Sequence, residues 1–313
     1  MRVASIDCGT NSIRLLIAEV ERADHGVRLR DLQRHNRIVR LGQGVDATGR
    51  FADEALERTF AAAEDYATLI REYGVERIRF GATSATRDAA NREVFLSGIE
   101  KILGVRPEVI TGNEEAALSF AGAVSVVGAD DQKTLVLDLG GGSTEFVLGT
   151  DEGIISAVSM DIGSVRLTER HAVDSPVNDT QRQAVIADVD AAIETALHTV
   201  DIASCQRLVG VAGTVTTVTA QALGLTSYDA AAINGTELTL DRAAEAAQEL
   251  AAMSRQQRID LGFIPEGRAD VIGTGALIWA RILEKVGELT ERRVTTVLTS
   301  ESDILDGLAL SLV

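Results

Sequence analysis

The chain has 313 residues, 45% of them apolar and 25% charged, with only three prolines and a formal net charge of −17 at pH 7. That length and apolar share suit two medium α/β domains with sizeable cores, and the acidic balance argues against a broad basic surface for nucleic acid. No run approaches the ~20 apolar residues of a membrane span, and the N-terminus enters a strand-like segment at once, without a basic-then-apolar leader.

The first predicted element is a hairpin. The apolar runs Val3-Ala4-Ser5-Ile6 and Ile13-Arg14-Leu15-Leu16-Ile17 flank Asp7-Cys8-Gly9-Thr10-Asn11-Ser12. Residues 27–42 alternate more loosely as a strand, and Gly42, Gly44 and Gly49 mark turns. Asp53 reads as the N-cap of a helix whose stripe is Leu56, Phe60, Ala63, Ala67 and Ile70, stopped by Gly74. The strand Val75–Ala82 runs into Thr83-Ser84-Ala85-Thr86-Arg87-Asp88, hydroxyls and an arginine at a strand-to-helix turn. A helix with Val94, Phe95, Ile99 and Ile102 inward follows to Gly104, then a strand Val105–Thr111. This βαβ rhythm predicts a sheet with packed helices and sites at the strand ends.

Asn113 is the expected N-cap of a helix opening Gly112-Asn113-Glu114-Glu115, with Ala117, Leu118 and Ala121 on its apolar side. A second domain begins between Val124 and Lys133. It opens with a second hairpin, Leu135-Val136-Leu137-Asp138-Leu139-Gly140-Gly141-Gly142-Ser143-Thr144-Glu145-Phe146-Val147-Leu148. A strand Ile154–Met160 exits at Asp161 to Leu167. A helix with a Thr180/Gln183 capping box and the stripe Val185, Val189, Ile193 and Leu197 comes next. Leu208 to Thr217 reads as strand, small-residue turn and helix. Helices at Leu238–Met253 and Ala269–Val286, a strand Val294–Leu298 and an amphipathic helix Glu301–Leu312 complete the order.

Laid on one another, the two hairpins match Asp7 with Asp138, Gly9 with Gly140 and Ser12 with Ser143, the spacing of a duplicated domain. Glycine lets bare backbone N–H groups approach phosphate oxygens, and Asp138 and Glu145 are suited to Mg²⁺. Where Glu145 stands the first copy has Arg14, a guanidinium for phosphate rather than a metal ligand. The Gly213-Thr214 turn is a third place for backbone to touch phosphate. Cys8 and Cys205 are too few for a disulfide framework and point to a reducing cytoplasm, and His25, His35, His171 and His198 lack zinc spacing.

Five ordered motifs resemble the exopolyphosphatase/guanosine pentaphosphatase family. They are Asp7 to Ser12, Gly112 to Ala116, Asp138 to Glu145, Gly210 to Thr214 and Arg268 to Ile272. The resemblance implies an α/β fold of duplicated actin-like (ribonuclease H-like) domains around a central cleft, with mixed sheets and flanking helices. Residues 1–123 plus 299–313 would form domain I and 124–298 domain II. Carried over, Glu115 is the general base and Glu114 its helper or a dipole complement. Asp138, Glu145 and Asp7 hold Mg²⁺ (or Mn²⁺). Phosphate-binding positions are Gly9, Thr10, Asn11, Ser12, Arg14, Arg87, Gly140, Gly141, Gly142, Ser143, Thr144, Gly213 and Thr214, with Arg166 and Arg268 as weaker candidates.

The resemblance further implies hydrolysis of terminal phosphate from inorganic polyphosphate or from guanosine pentaphosphate, in a cytoplasmic homodimer with no nucleic-acid or membrane partner. Longer family members add a C-terminal helical domain, and a chain stopping at Val313 would favour short polyphosphate. The alternatives on the same fold are an ATP-binding kinase or ATPase and a non-catalytic binder. Glu115 at a helix start, directed at water, favours hydrolysis, and the binder could dispense with Glu115, Asp138 and Glu145, all of which are present.

Overall fold

In a computed structural model the protein is described for residues 1–23, 26–127 and 131–313. His25 and part of the expected 124–133 boundary lie outside the described residues. The chain divides into two compact units, Met1–Gly122 with Ile304–Val313, and Ala123–Asp303. Residues 299–303 belong to the second because they bond within it. Thr299 N–H donates to Thr236, Ser300 N–H to Gly210, and Glu301 N–H to the Asn234 side chain.

The first unit runs β1 (Arg2–Cys8), β2 (Ser12–Ala23), β3 (Gly26–Ile38), α1 (Val45–Thr48), α2 (Asp53–Glu72), β4 (Arg77–Ala82), α3 (Ser84–Asp88), α4 (Arg92–Leu103), β5 (Glu108–Val109) and α5 (Gly112–Val127), whose residues from Ala123 on are assigned to the second. Alternation along β1 and β2 sends Ala4, Ile6, Cys8, Ile13, Leu15 and Ile17 into one core, where Leu56, Ala63, Tyr66 and Ile70 of α2 and Phe95 and Ile99 of α4 meet them. On the other face lie Val3, Leu16 and Ala18.

Several local expectations give way here. Helix α2 is capped by Ala52 without a side-chain bond, so Asp53 is its first residue and complements the helix dipole. Val94 is 55% exposed and Leu96 takes the inward place. The strand expected over 105–111 shrinks to two residues. Helix α5 is capped by Thr111, whose Oγ1 accepts from the Glu114 N–H at 3.2 Å, and Ala121 faces solvent while Ala116, Phe120 and Ala123 are buried.

The second unit runs β6 (Thr134–Leu139), β7 (Thr144–Thr150), β8 (Gly153–Met160), α6 (Ser164–Arg170), α7 (Asp179–Ala196), β9 (Arg207–Val211), α8 (Ala212–Leu223), α9 (Ala230–Ile233), β10 (Glu237–Thr239), α10 (Leu240–Ala252), α11 (Arg255–Asp260), α12 (Ile272–Leu289) and β11 (Thr296–Thr299). Leu135, Leu137, Phe146 and Leu148 pack against Val185, Val189 and Ile193 of α7 and against Ile272, Ala276, Trp279 and Leu283 of α12. The capping box of α7 is Asn178 with Gln181, not Thr180 with Gln183, and Leu197 is exposed just past the helix end. The last helix, α13 (Ile304–Leu310), belongs to the first unit, where its Leu305 and Ala309 pack on Val3, Leu16 and Ala18.

The two sheets have one plan. The first is ordered β3-β2-β1-β4-β5 and the second β10-β11-β9-β6-β7-β8. In each, an antiparallel three-strand meander (β1-β2-β3, β6-β7-β8) continues through its first strand into parallel neighbours (β4-β5, β9-β11). Strand β10 adds an antiparallel edge to the second copy. This is the ribonuclease H-like order, present twice, with helices flanking both mixed sheets: the duplicated actin-like fold.

Candidate active site

Both hairpin loops are built alike. Gly9 N–H donates to Ser12 O at 3.0 Å, and Gly140 N–H donates to Ser143 O at 3.0 Å. In the first loop the carbonyl of Thr10 accepts from Gly42 and that of Asn11 from Val39 and Arg40. In the second, Gly140 O accepts from Ser164 N–H, Gly141 O from Val165 and Arg166 N–H, and Gly142 O from Arg166 Nε at 2.7 Å. The carbonyls are thus turned into the protein. The N–H groups of Thr10, Asn11, Gly141, Gly142 and Ser143 meet no protein acceptor among the described residues. Such an array of bare donors fits anionic oxygens.

Glycine is required where neighbours press on these loops. A Cβ on Gly42 would lie 2.3 Å from Thr10 Cγ2, and one on Gly163 would lie 2.5 Å from the Gly141 carbonyl. Thr10 also shares a 2.9 Å hydrogen bond with Ser84, which ties the first loop to α3. Thr144 Oγ1 donates to Ile162 O at 2.6 Å and holds the second.

At the strand ends the copies diverge. Asp7 is directly opposite Arg14, and Asp138 directly opposite Glu145. Arg14 donates to Asp7 Oδ2 through Nε at 3.0 Å and Nη2 at 2.7 Å, so the Arg14 guanidinium faces Asp7. Asp138 and Glu145 share the sheet face that also carries Ser159, whose hydroxyl donates to Glu145 Oε1 at 2.7 Å. Both carboxylates are buried. Two adjacent hard oxygen donors suit Mg²⁺, which keeps waters and takes further oxygens from phosphate. No group of three or more His, Cys, Asp or Glu side chains fit for a metal occurs among the described residues.

Glu115 lies in the first turn of α5, 7% exposed. Arg87 Nη1 donates to its Oε2 at 2.6 Å and to the carbonyl of Ile110 at 3.1 Å. Burial pushes the Glu115 carboxyl up to about 7. The Arg87 charge and hydrogen bond pull it down, Asp7 adds to the rise, and a Thr83 hydroxyl bond opposes it. A carboxyl poised near neutrality is suited to taking a proton from water. Glu114 turns away to Arg79, 2.7 Å from its Nη2.

In the second unit Arg166 sits on the glycine loop, as given above, and near Asp161 at 3.6 Å. Arg268 lies over Gly213, so close that a Cβ there would be 2.5 Å from Nη2, and Nη1 donates to Gly213 O at 3.2 Å. Thr214 is buried beside Gly275. Sequence reading quoted the hydroxyl-rich turn but gave Thr83, which bonds to Glu115, no role, and it missed Arg258. The Arg258 guanidinium is fully buried, donates to the carbonyls of Leu250, Ala251 and Ala269, and is pulled down by burial to about 10. A lone arginine on a short helix carries no sequence signal for this.

The family model for Ppx/GppA phosphatases matches residues 17–301. The chain belongs to the Ppx/GppA phosphatase family. Exopolyphosphatase 2 of Mycobacterium tuberculosis is 49% identical over 99% of this chain and 98% of its own. A guanosine-5'-triphosphate,3'-diphosphate pyrophosphatase of Photobacterium profundum is 32% identical over 68% of this chain and 42% of its own. The crystal structure of an exopolyphosphatase-like protein superposes with a TM-score of 0.93 at 47% identity, covering 100% of this chain and 98% of that one. This Ppx/GppA phosphatase carries all five motifs on the elements just described.

Proposed function

We propose that the protein is a Mg²⁺-dependent exopolyphosphatase releasing terminal orthophosphate from inorganic polyphosphate. The observation that carries this reading is the buried Glu115 carboxyl, raised to about 7, in a unit whose hairpin offers unused N–H donors. The 49% identity to an exopolyphosphatase over nearly the full length supports it. Thr10, Asn11 and Ser12 with Gly9, and Gly140 to Thr144, bind phosphate oxygens. Arg87, Arg14, Gly213 and Thr214 assist, with Arg166 and Arg268 behind the loops. Glu115 takes a proton from the attacking water. A new P–O bond forms as the bridging P–O bond breaks, and the shortened chain leaves with its electron pair. Mg²⁺ (or Mn²⁺) would be held by Asp138 and Glu145 and would supply positive charge against that developing on phosphate, and Asp7 is a separate candidate oxygen donor at the first hairpin.

Guanosine pentaphosphate is the second reading, favoured by the match to the Photobacterium profundum enzyme at 32% identity. We further propose that the two compact units are the functional domains. The setting is the cytoplasm, where Cys8 and Cys205 stay unbridged, and the assembly is a homodimer without nucleic-acid or membrane partners. No helix of the described residues is long and apolar enough to cross a membrane.

Phosphate release from polyphosphate, guanosine pentaphosphate and ATP, with and without Mg²⁺, tests the assignment. Polyphosphate should be the fastest substrate, and Glu115→Gln should lower kcat by about 10²–10⁴-fold. Near-normal turnover by Glu115→Gln overturns the reading.

A further inference from the structure

The Arg87 guanidinium stands at a branch point. Its Nη1 is committed to Glu115 Oε2 at 2.6 Å and to Ile110 O at 3.1 Å. Its Nε and Nη2 meet no protein acceptor among the described residues. The side chain is 23% exposed and its carboxylate partner 10%. A guanidinium has five donors in a fixed fork and can serve a carboxylate and a phosphate together.

Two buried polar atoms of the same unit also lack partners: Thr86 Oγ1, next to Arg87 in the chain, and Asn11 Oδ1, in the first hairpin loop. Thr86 is fully buried, where an unanswered hydroxyl is costly unless a ligand answers it. The Thr10–Ser84 hydrogen bond joins the loop that bears Asn11 to the helix that bears Thr86 and Arg87. The unsatisfied atoms and the uncommitted guanidinium donors therefore belong to one linked substructure.

We propose that Arg87 is a positioning residue shared between Glu115 and the phosphate at the first hairpin, so that the Glu115 charge and phosphate affinity are coupled. Without phosphate, Arg87 fixes the Glu115 carboxylate and spends its charge there. When phosphate arrives it draws on the same guanidinium, and the carboxylate loses part of its compensation in a poorly solvated place. Glu115 then becomes a stronger base only once the anion is seated. Linkage makes the effect reciprocal: an ionised Glu115 must weaken phosphate binding by the factor by which phosphate weakens the ion pair. The other charge acting on Glu115 is Asp7, which is itself held by Arg14, so it offers the anion no attraction to exchange.

This inference rests on the hydrolase reading, and its test is independent of turnover. Orthophosphate binding is measured by calorimetry on the full chain, in the wild type, Glu115→Gln, Arg87→Gln and the double variant. Glu115→Gln should tighten orthophosphate about tenfold in the wild-type background and leave it nearly unchanged in the Arg87→Gln background. Simple charge repulsion would produce the same tightening in both backgrounds, and that result overturns the proposal. So does no tightening at all. Should Arg87→Gln fail to fold, Arg87→Lys carries the same cycle, with a reduced coupling expected and zero coupling overturning the proposal. Retained hydrolysis by Glu115→Gln would sink the hydrolase reading without altering the binding cycle.

Discussion

In the proposed mechanism one buried carboxyl, that of Glu115, bears on both reactivity and stability. Its carboxyl is raised from an ordinary 4.5 to about 7, chiefly by burial. As a base it must be ionised, so kcat/KM should fall as pH drops through about 7. For stability the sign is the reverse. A group raised in the folded state contributes stability below its unfolded value and loses it as pH rises through the folded one. Ionised Glu115 is therefore a burden that Gln would lift. Thermal melts of Glu115→Gln against wild type should show a Tm gain of a few degrees at pH 8 that shrinks toward pH 5. A gain that is larger at pH 5 would mean that the Arg87 pair, not burial, dominates. None of this was visible in the spacing of residues. The motif singled out Glu115 as the candidate base, and its partner Arg87 lies 28 positions away. Patterns of neighbouring residues do not report such a pairing.

At the scale of elements, the sequence made the hairpins plain because period-two alternation and glycine loops are local. The opposition of Arg14 to Asp7 and of Glu145 to Asp138 follows from the same alignment and is realised in the register. Helix stripes were legible for the same reason, while caps were not. Asp53, Asn113 and Thr180 are all good capping residues, yet the chain uses Ala52, Thr111 and Asn178, one or two positions upstream. What no pattern revealed is the division of labour in the loops, with carbonyls answered by α6 or by residues 39–42 and N–H groups left over. Gly163 tests it. A Cβ there would press on backbone, at 2.5 Å from Gly141 C and O and 2.6 Å from Gly142 N, with no flexible side chain to give way. Gly163→Ala should raise KM for polyphosphate about tenfold or more and cost about 1–3 kcal/mol of stability in denaturant melts. Gly104→Ala, at φ 71° with nothing within 4 Å of its Cβ, should cost stability through backbone strain while KM is unchanged. Equal KM in the two variants would remove the loop from the binding machinery.

Across the whole molecule, duplication and charge pull in different directions. Two copies of one sheet order supply two sets of uncommitted N–H donors, whereas the chain carries a formal net charge of −17. If the loops bind phosphate as proposed, attraction is short-ranged, from loop amides and a few arginines already drawn into ion pairs, and repulsion is long-ranged. A short polyphosphate meets mainly the loops. A long one also lays many charges along acidic surface, so chain length should carry a penalty that salt relieves. Raising ionic strength from about 0.05 M to 0.3 M shortens the Debye length from about 14 Å to about 6 Å, which screens surface repulsion more than contacts inside the loops. The ratio of kcat/KM on long chains to that on tripolyphosphate should therefore rise several-fold over that range, with Mg²⁺ activity held constant. Phosphate release from size-fractionated polyphosphate measures it. A ratio that stays flat or falls would mean that a local basic track guides the chain against the mean field, and the preference for short substrates would lose its physical basis.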